Sequence, residues 1–170
     1  RRHGFGVEQV AGVMAGGLRV SSTAIRHALG AGDLATARQM LGRPYRMVGR
    51  VSRGQQLGRQ LGFPTANMRL QRRVSPVRGI FAVRVHGVEE EVRDAVASIG
   101  TRPTVAGVEP LLEVHVFDFD GDLYGRHIGV DFVARLRDET RFDDLEALRR
   151  QMELDAAEAR RLLADKGTQG

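Results

Sequence analysis

The chain reads as a mainly β protein: a closed or nearly closed β-barrel followed by a C-terminal helix. Three observations predict this. Between Tyr45 and Leu136, short apolar runs, the last of them strictly alternating, are separated by Gly, Pro and Gly-Asp turn signals. From Asp143 onward the apolar spacing becomes that of a helix. At 170 residues, 42% hydrophobic and 28% charged, the chain is long and apolar enough for one such core.

In order along the chain, residues 1–20 are Gly-rich, begin with Arg rather than Met, and read as following a cut. Ser21, Ser22 and Thr23 offer an N-cap to a short helix carrying Ile25, Ala28 and Leu29 and closed by Gly30. Asp33 caps a second helix with Leu34, Ala37, Met40 and Leu41 on one face, ended by Gly42 and Pro44. This hairpin is too small for a core of its own. Strands are expected at Tyr45–Val51, Ile80–Val85, Val92–Ile99, Leu111–Phe119 and His127–Leu136. In the last, Ile128, Val130, Phe132, Ala134 and Leu136 alternate with Gly129, Asp131, Val133 and Arg135. Asp143 with Glu146 forms a capping-box start to the final helix, whose apolar positions are Leu145, Leu148, Met152 and Leu162.

Composition removes several function classes. With no cysteine, disulfides, zinc–cysteine sites and thiol nucleophiles are out. The single lysine, Lys166, lies in the tail, so neither a Schiff-base lysine nor a Walker-type phosphate loop is available. The net charge of +5 comes from scattered arginines without a basic stripe, and aromatic residues make up only 5%, which argues against a nucleic-acid-binding barrel. No apolar run approaches the roughly 18 residues of a membrane span, and no signal peptide is recognisable. A cytoplasmic protein is expected, with no oligomeric state indicated.

Two segments carry chemistry. The first runs from Gly54 to Asn67 and holds Gly54, Gly58, Arg59 and Gly62 before Phe63-Pro64-Thr65-Ala66-Asn67. Glycines allow backbone N–H groups to approach phosphate oxygens, and Arg59 is placed to neutralise their charge. Thr65 and Asn67, two apart, share a face if extended, and their hard oxygens suit a nucleotide-bound Mg²⁺. The same stretch also reads as a Gly-rich turn leading into an edge strand. In the second segment Leu112, Val114 and Val116 turn to a core, and Glu113 and His115 to the opposite face. There Glu113 is either a general base, with His115 orienting it or contacting a nucleotide, or both are solvated strand residues.

Gly62-Phe63-Pro64-Thr65-Ala66-Asn67, then Ser98-Ile99-Gly100-Thr101-Arg102-Pro103-Thr104, Glu113-Val114-His115 with Leu123-Tyr124-Gly125, and Leu136-Arg137 with Phe142 resemble, in order, the landmarks of the riboflavin kinase family. Ser21-Ser22-Thr23-Ala24-Ile25-Arg26 resembles the last stretch of the FMN adenylyltransferase module that precedes this kinase in bacterial bifunctional FAD synthetases. The His-x-Gly-His motif of that module is absent. The resemblance implies a six-stranded Greek-key β-barrel with a C-terminal α-helix over residues 45–165. It makes residues 1–44 a short helical remnant of the α/β nucleotidyltransferase module and residues 166–170 a tail. It also implies ATP-dependent phosphorylation of riboflavin to FMN, with Mg²⁺ and ATP phosphates held by Thr65 and Asn67 and Glu113 as catalytic base. Gly54, Gly58, Arg59, Gly62 and Tyr124 would bind ATP, and Arg137 and Phe142 would border the flavin. The alternative is a non-catalytic flavin- or nucleotide-binding barrel fragment.

Overall fold

The structure is a computed structural model and describes residues 11–54, 57–70, 74–104 and 107–167. Its first element is one the sequence does not announce: a two-stranded hairpin of β1 (Met14–Ala15) and β2 (Leu18–Arg19), turned by Gly16-Gly17. Helix α1 (Ser22–Ala31) starts where expected, with Ser21 Oγ accepting from the Ala24 N–H at 3.1 Å. It ends two residues later than expected. Gly30 lies inside the helix, and Gly32, at φ 77°, is the left-handed residue. The N–H groups of Asp33 and Gly32 reach back to the carbonyls of Ala28 and Leu29, which is a Schellman closure. Asp33 caps α2 (Leu34–Leu41) by accepting from the Thr36 N–H at 3.0 Å, and Gly42 ends it.

Six strands follow: β3 (Tyr45–Ser52), β4 (Ala66–Arg69), β5 (Gly79–His86), β6 (Arg93–Thr104), β7 (Gly107–Val116) and β8 (His127–Arg137). A single turn, α3 (Leu57–Gln60), sits between β3 and β4, and α4 (Leu145–Gly167) closes the chain. The strands form a closed barrel in the order β3-β4-β7-β6-β5-β8, every neighbour antiparallel. Three hairpin-connected strands, β5, β6 and β7, with β8 returning beside β5, make the Greek key. Met47, Met68, Phe81, Val83, Leu112, Val114, Ile128, Val130 and Phe132 fill the interior.

The alternation of β8 breaks midway. Its pairing with β5 slips at two irregularities, between Ile80 and Phe81 and between Ala82 and Val83. Ile128, Val130 and Phe132 point inward, but Val133, Ala134 and Leu136 pack outside with Ala82, Phe117, Ala159 and Leu163 beneath α4. A bulge shifts the side-chain phase, so a strictly alternating sequence no longer reports one face. Helix α4 is capped one residue later than expected, Asp144 Oδ1 accepting from the Ala147 N–H at 2.7 Å. Leu145 is exposed, and the buried residues of the helix are Asp155, Ala159 and Leu163.

The helical hairpin has no separate core because it shares the barrel's. Leu29, Leu34 and Ala37 belong to the same buried cluster as Met47 and Phe132, with Ile25 and Ala28 against it. We therefore expect Leu29→Ala, which empties a position only 2% exposed, to cost about 2–4 kcal/mol of whole-barrel stability. Urea unfolding should show one cooperative transition at lower midpoint; a separate early transition for the hairpin would contradict the shared core.

Candidate active site

The site is built on the outer face of the barrel. Because the inward positions of β7 are Leu112, Val114 and Val116, Glu113 and His115 turn outward, as the alternation requires. The register places Asn67 of β4 opposite Glu113, with Ser98 of β6 opposite Glu113 on its other side and Ser52 of β3 opposite Asn67. Directly opposed residues share a face, so Ser52, Asn67, Glu113 and Ser98 form one polar row across four strands.

Glu113 opens onto a cavity of about 280 Å³ between this face and α4. Thr65, Gly58, Phe63, His115 and Ser98 line it on the barrel side; Arg137, Phe142, Leu148, Met152 and Asp155 line it on the other. Thr65 also lines a second cavity of about 320 Å³, with Arg59, Pro64, Asp122 and Tyr124. Thr65 thus stands at the seam of two adjoining spaces, one holding Glu113, Arg137 and Phe142, the other Arg59 and Tyr124. Asn67 lies behind this seam. It is 5% exposed, its Nδ2 donates to the Thr65 carbonyl at 3.4 Å, and Gly54 presses on it so closely that a Cβ there would sit 2.5 Å from the amide carbon.

The glycines of the loop have local reasons. Gly58 packs against the Phe63 carbonyl with no room for a Cβ and accepts from the Phe63 N–H at 2.7 Å. Gly62, at φ 84°, is exposed and ends the α3 turn. Gly54 and Gly58 are explained in this structure by close packing and Gly62 by its left-handed backbone, and neither Gly54 nor Gly62 lines either of these two cavities. Gln55 and Gln56 lie outside the described residues.

Arg137 reaches the first cavity already committed. Its Nε and Nη2 donate to Asp155 Oδ1 and Oδ2 at 2.8 and 2.6 Å, its Nη1 donates to the Asp138 carbonyl at 2.8 Å, and its guanidinium stands 5.8 Å from the Phe142 ring centre. Gln151 donates to the same Asp155 at 2.9 Å. Arg137 therefore fastens α4 to β8 and supports Phe142, and brings no uncompensated cation. Sequence reasoning missed Asp155 because a carboxylate on a helix is assigned to the wet face; its spacing with Leu148, Met152, Ala159 and Leu163 was the available signal. It also missed Glu139, whose carboxyl rests on Gly100 where any Cβ would collide. Burial raises the Glu139 pKa above the usual carboxylate value, against the opposing pull of Arg78 and Arg137.

Among the described residues no group of three or more His, Asp or Glu side chains gathers to hold a metal alone. The oxygens of Thr65 and Asn67 are neutral, and such a pair suits a small hard cation that brings phosphate and water ligands with it. Thr65 has the access this needs; Asn67 is within one strand residue but covered.

The site is thus a cleft between a Greek-key barrel and its last helix, with a carboxylate in one cavity, a hydroxyl at its junction with a second, and an arginine lining that second cavity. Residues 41–163 match the family model described as "Flavokinase: Riboflavin kinase", and the chain belongs to that family. It is 49% identical over 158 residues to the bifunctional riboflavin kinase/FMN adenylyltransferase of Escherichia coli (strain K12), an alignment covering 93% of this chain and 50% of that protein. The chain spans about half the length of the curated relatives it matches. A crystal structure of riboflavin kinase from Trypanosoma brucei aligns with TM-score 0.52 at 27% identity, over 71% of this chain and 80% of that one. A Streptococcus pneumoniae structure described as a macrolide-efflux protein aligns with TM-score 0.76 at 37% identity, over 86% of this chain and 48% of that one. No helix among the described residues is long and apolar enough to cross a membrane.

The Arg137–Asp155 pair yields a stability prediction. Asp155→Ala strands a largely covered guanidinium and should cost about 3 kcal/mol. Urea unfolding measures it, and a loss below about 0.5 kcal/mol would show that apolar packing alone docks α4.

Proposed function

We propose that this chain transfers the γ-phosphate of ATP to the terminal ribityl hydroxyl of riboflavin, giving FMN and ADP. The observation that carries the proposal is that Thr65, at the seam, shares one cavity with Glu113 and the other with Arg59 and Tyr124. Two substrates must meet in line for phosphoryl transfer, and catalysis asks the protein mainly for positioning and charge neutralisation. Riboflavin occupies the first cavity, its ring against Phe142, Leu148 and Met152 and its chain extended toward Glu113. The nucleotide occupies the second, its phosphates near Arg59 and Thr65 and its base toward Tyr124. The Glu113 carboxylate takes the hydroxyl proton as the oxygen bonds to the γ-phosphorus, the bond to the β-phosphate oxygen breaks, and ADP leaves.

The divalent cation of this reading is Mg²⁺, which supplies charge neutralisation to the phosphates when bound. Thr65 and Asn67 would be its protein ligands, and Gly54, which lies against the Asn67 amide, would have to give way for Asn67 to serve. Gly58 and Gly62 shape the loop that lies over the phosphates. The reading assigns the chain no nucleic-acid partner. Arg46, Arg84, Arg93, Arg135, Arg137, Arg149, Arg150, Arg160 and Arg161 are all in ion pairs with acidic side chains. The reading carries a cytoplasmic location, where ATP is supplied, and no membrane partner.

Residues 1–44 represent the end of an FMN adenylyltransferase module whose whole parent would also convert FMN to FAD. The boundary near Tyr45 is one of family and not of packing, since α1 and α2 share the barrel core. With riboflavin and Mg-ATP the chain should form FMN, and with FMN and ATP it should form no FAD, as chromatography of the flavins will show; FAD formation would overturn the module assignment. Glu113→Gln should lower kcat about 10²–10⁴-fold while leaving Mg-nucleotide binding within a few-fold. Equal losses in both would make Glu113 structural, and full activity would show that the transfer does not use this carboxylate as its base.

A further inference from the structure

We infer that His115 is a positioning residue, held as the Nδ1–H tautomer, whose ring fixes the Pro64–Thr65 corner against the strand that carries Glu113. The functional part of this inference rests on the riboflavin kinase reading; the tautomer does not. The β4–β7 ladder runs from Arg69 opposite Leu111 to Ala66 opposite Val114. Thr65 is one residue beyond it, so the pairing that fixes Asn67 opposite Glu113 does not itself fix Thr65. Pro64 has no N–H to extend the ladder. At this level the His115 side chain takes over: Nδ1 lies 2.9 Å from the Pro64 carbonyl oxygen. A carbonyl only accepts, so Nδ1 carries the proton and Nε2 is the acceptor of the neutral ring.

The ring is also wedged. Phe63 meets it edge-on at 5.1 Å between centroids, and Phe117, just past the end of the same strand, at 5.8 Å. His115 therefore ties the residues on both sides of Pro64 to β7, two residues from Glu113. The carboxylate on β7 and the hydroxyl one residue beyond β4 share a cavity, and this side chain links the two segments that carry them. Displacing Thr65 by about 1 Å is enough to cost on the order of 10²-fold in rate.

Two variants separate the hydrogen bond from the packing. His115→Phe keeps a ring between Phe63 and Phe117 but loses the donor; His115→Asn places an amide N–H near the Nδ1 position. We expect His115→Phe to lower kcat about 10–100-fold and to weaken Mg-ADP binding, with riboflavin binding unchanged within twofold, and His115→Asn to recover most of kcat. Wild-type turnover in the Phe variant, or an Asn variant as impaired as Phe, would overturn the positioning role. Long-range ¹H–¹⁵N correlation on the ligand-free, labelled chain should find Nδ1 pyrrole-like and Nε2 pyridine-like. The reverse pattern would overturn the bond whatever the variants do or fail to fold into. If the wild-type chain makes no FMN, the kinase reading fails, and the nitrogen shifts still decide the tautomer.

Discussion

The antiparallel register between β4 and β7 is the constraint on which the site depends. Four rungs set Asn67 beside Glu113, and Ser98 of β6 completes the row. A slip of one residue would send Glu113 into the interior and bring Val114 or Leu112 to the cavity. What holds the register is the inward stripe, with Met68, Leu112 and Val114 each fully buried. The same apolar packing that closes the barrel therefore decides which side chains face the cleft, and stability and chemistry are not separable at these positions.

The second wall depends on a different kind of contact. A bulged β8 turns Ala134 and Leu136 outward to receive α4, and Arg137, the last residue of that strand, is clamped by Asp155. A matching arrangement lies elsewhere on the barrel. Asp131, buried on the same strand, takes Arg46 Nε at 2.5 Å, Arg46 Nη2 at 2.7 Å and His86 Nε2 at 2.9 Å. Burial alone would raise the Asp131 pKa, but hydrogen bonds from Arg46 and His86 outweigh it and hold it below the usual value. Its stabilising contribution is present above the ordinary carboxylate range and fades as pH falls through that lowered value. Both aspartates accept the fork of an arginine, the geometry that best offsets the loss of water around a charge. This is where an arginine-rich, nearly lysine-free chain uses its guanidinium groups.

Much of this was legible in the sequence. Five strands were located within a few residues, except that β7 begins at Gly107 and β6 runs on to Thr104. Glu113 and His115 were assigned to the outward face by alternation alone, and Asp33 was read as a cap from its place before Leu34. Strand β4 was not read as a barrel strand from pattern, because four residues containing Asn67 and Arg69 are too short and too polar to show a period. The residues alone gave an edge strand after a Gly-rich turn as one reading, and its place among six barrel strands came from the resemblance. Ala134 and Leu136 were placed in one alternating series with Ile128, Val130 and Phe132, and pack in a different cluster, because a bulge leaves no mark in a period-two pattern. Gly30 was taken for the helix end over Gly32 because both are glycines and only the backbone angle tells them apart. Thr65, Glu113, Arg137 and Phe142 were grouped by family likeness and share a cavity; Arg59 and Tyr124 share the adjoining one. Asn67 and Gly54 sit closer to each other than to either space, a close approach that residue types alone do not encode.

The kinase reading requires a metal-bound nucleotide at the Thr65 seam with its phosphates facing Glu113. Paramagnetic relaxation from Mn²⁺-ADP, read on the backbone amides of the labelled chain, tests this most directly. Broadening should be strongest at Thr65, Ala66 and Asn67, with Glu113 next and Asp131 untouched. Broadening centred on the Arg46–Asp131–His86 cluster, or absent from Thr65, would contradict it.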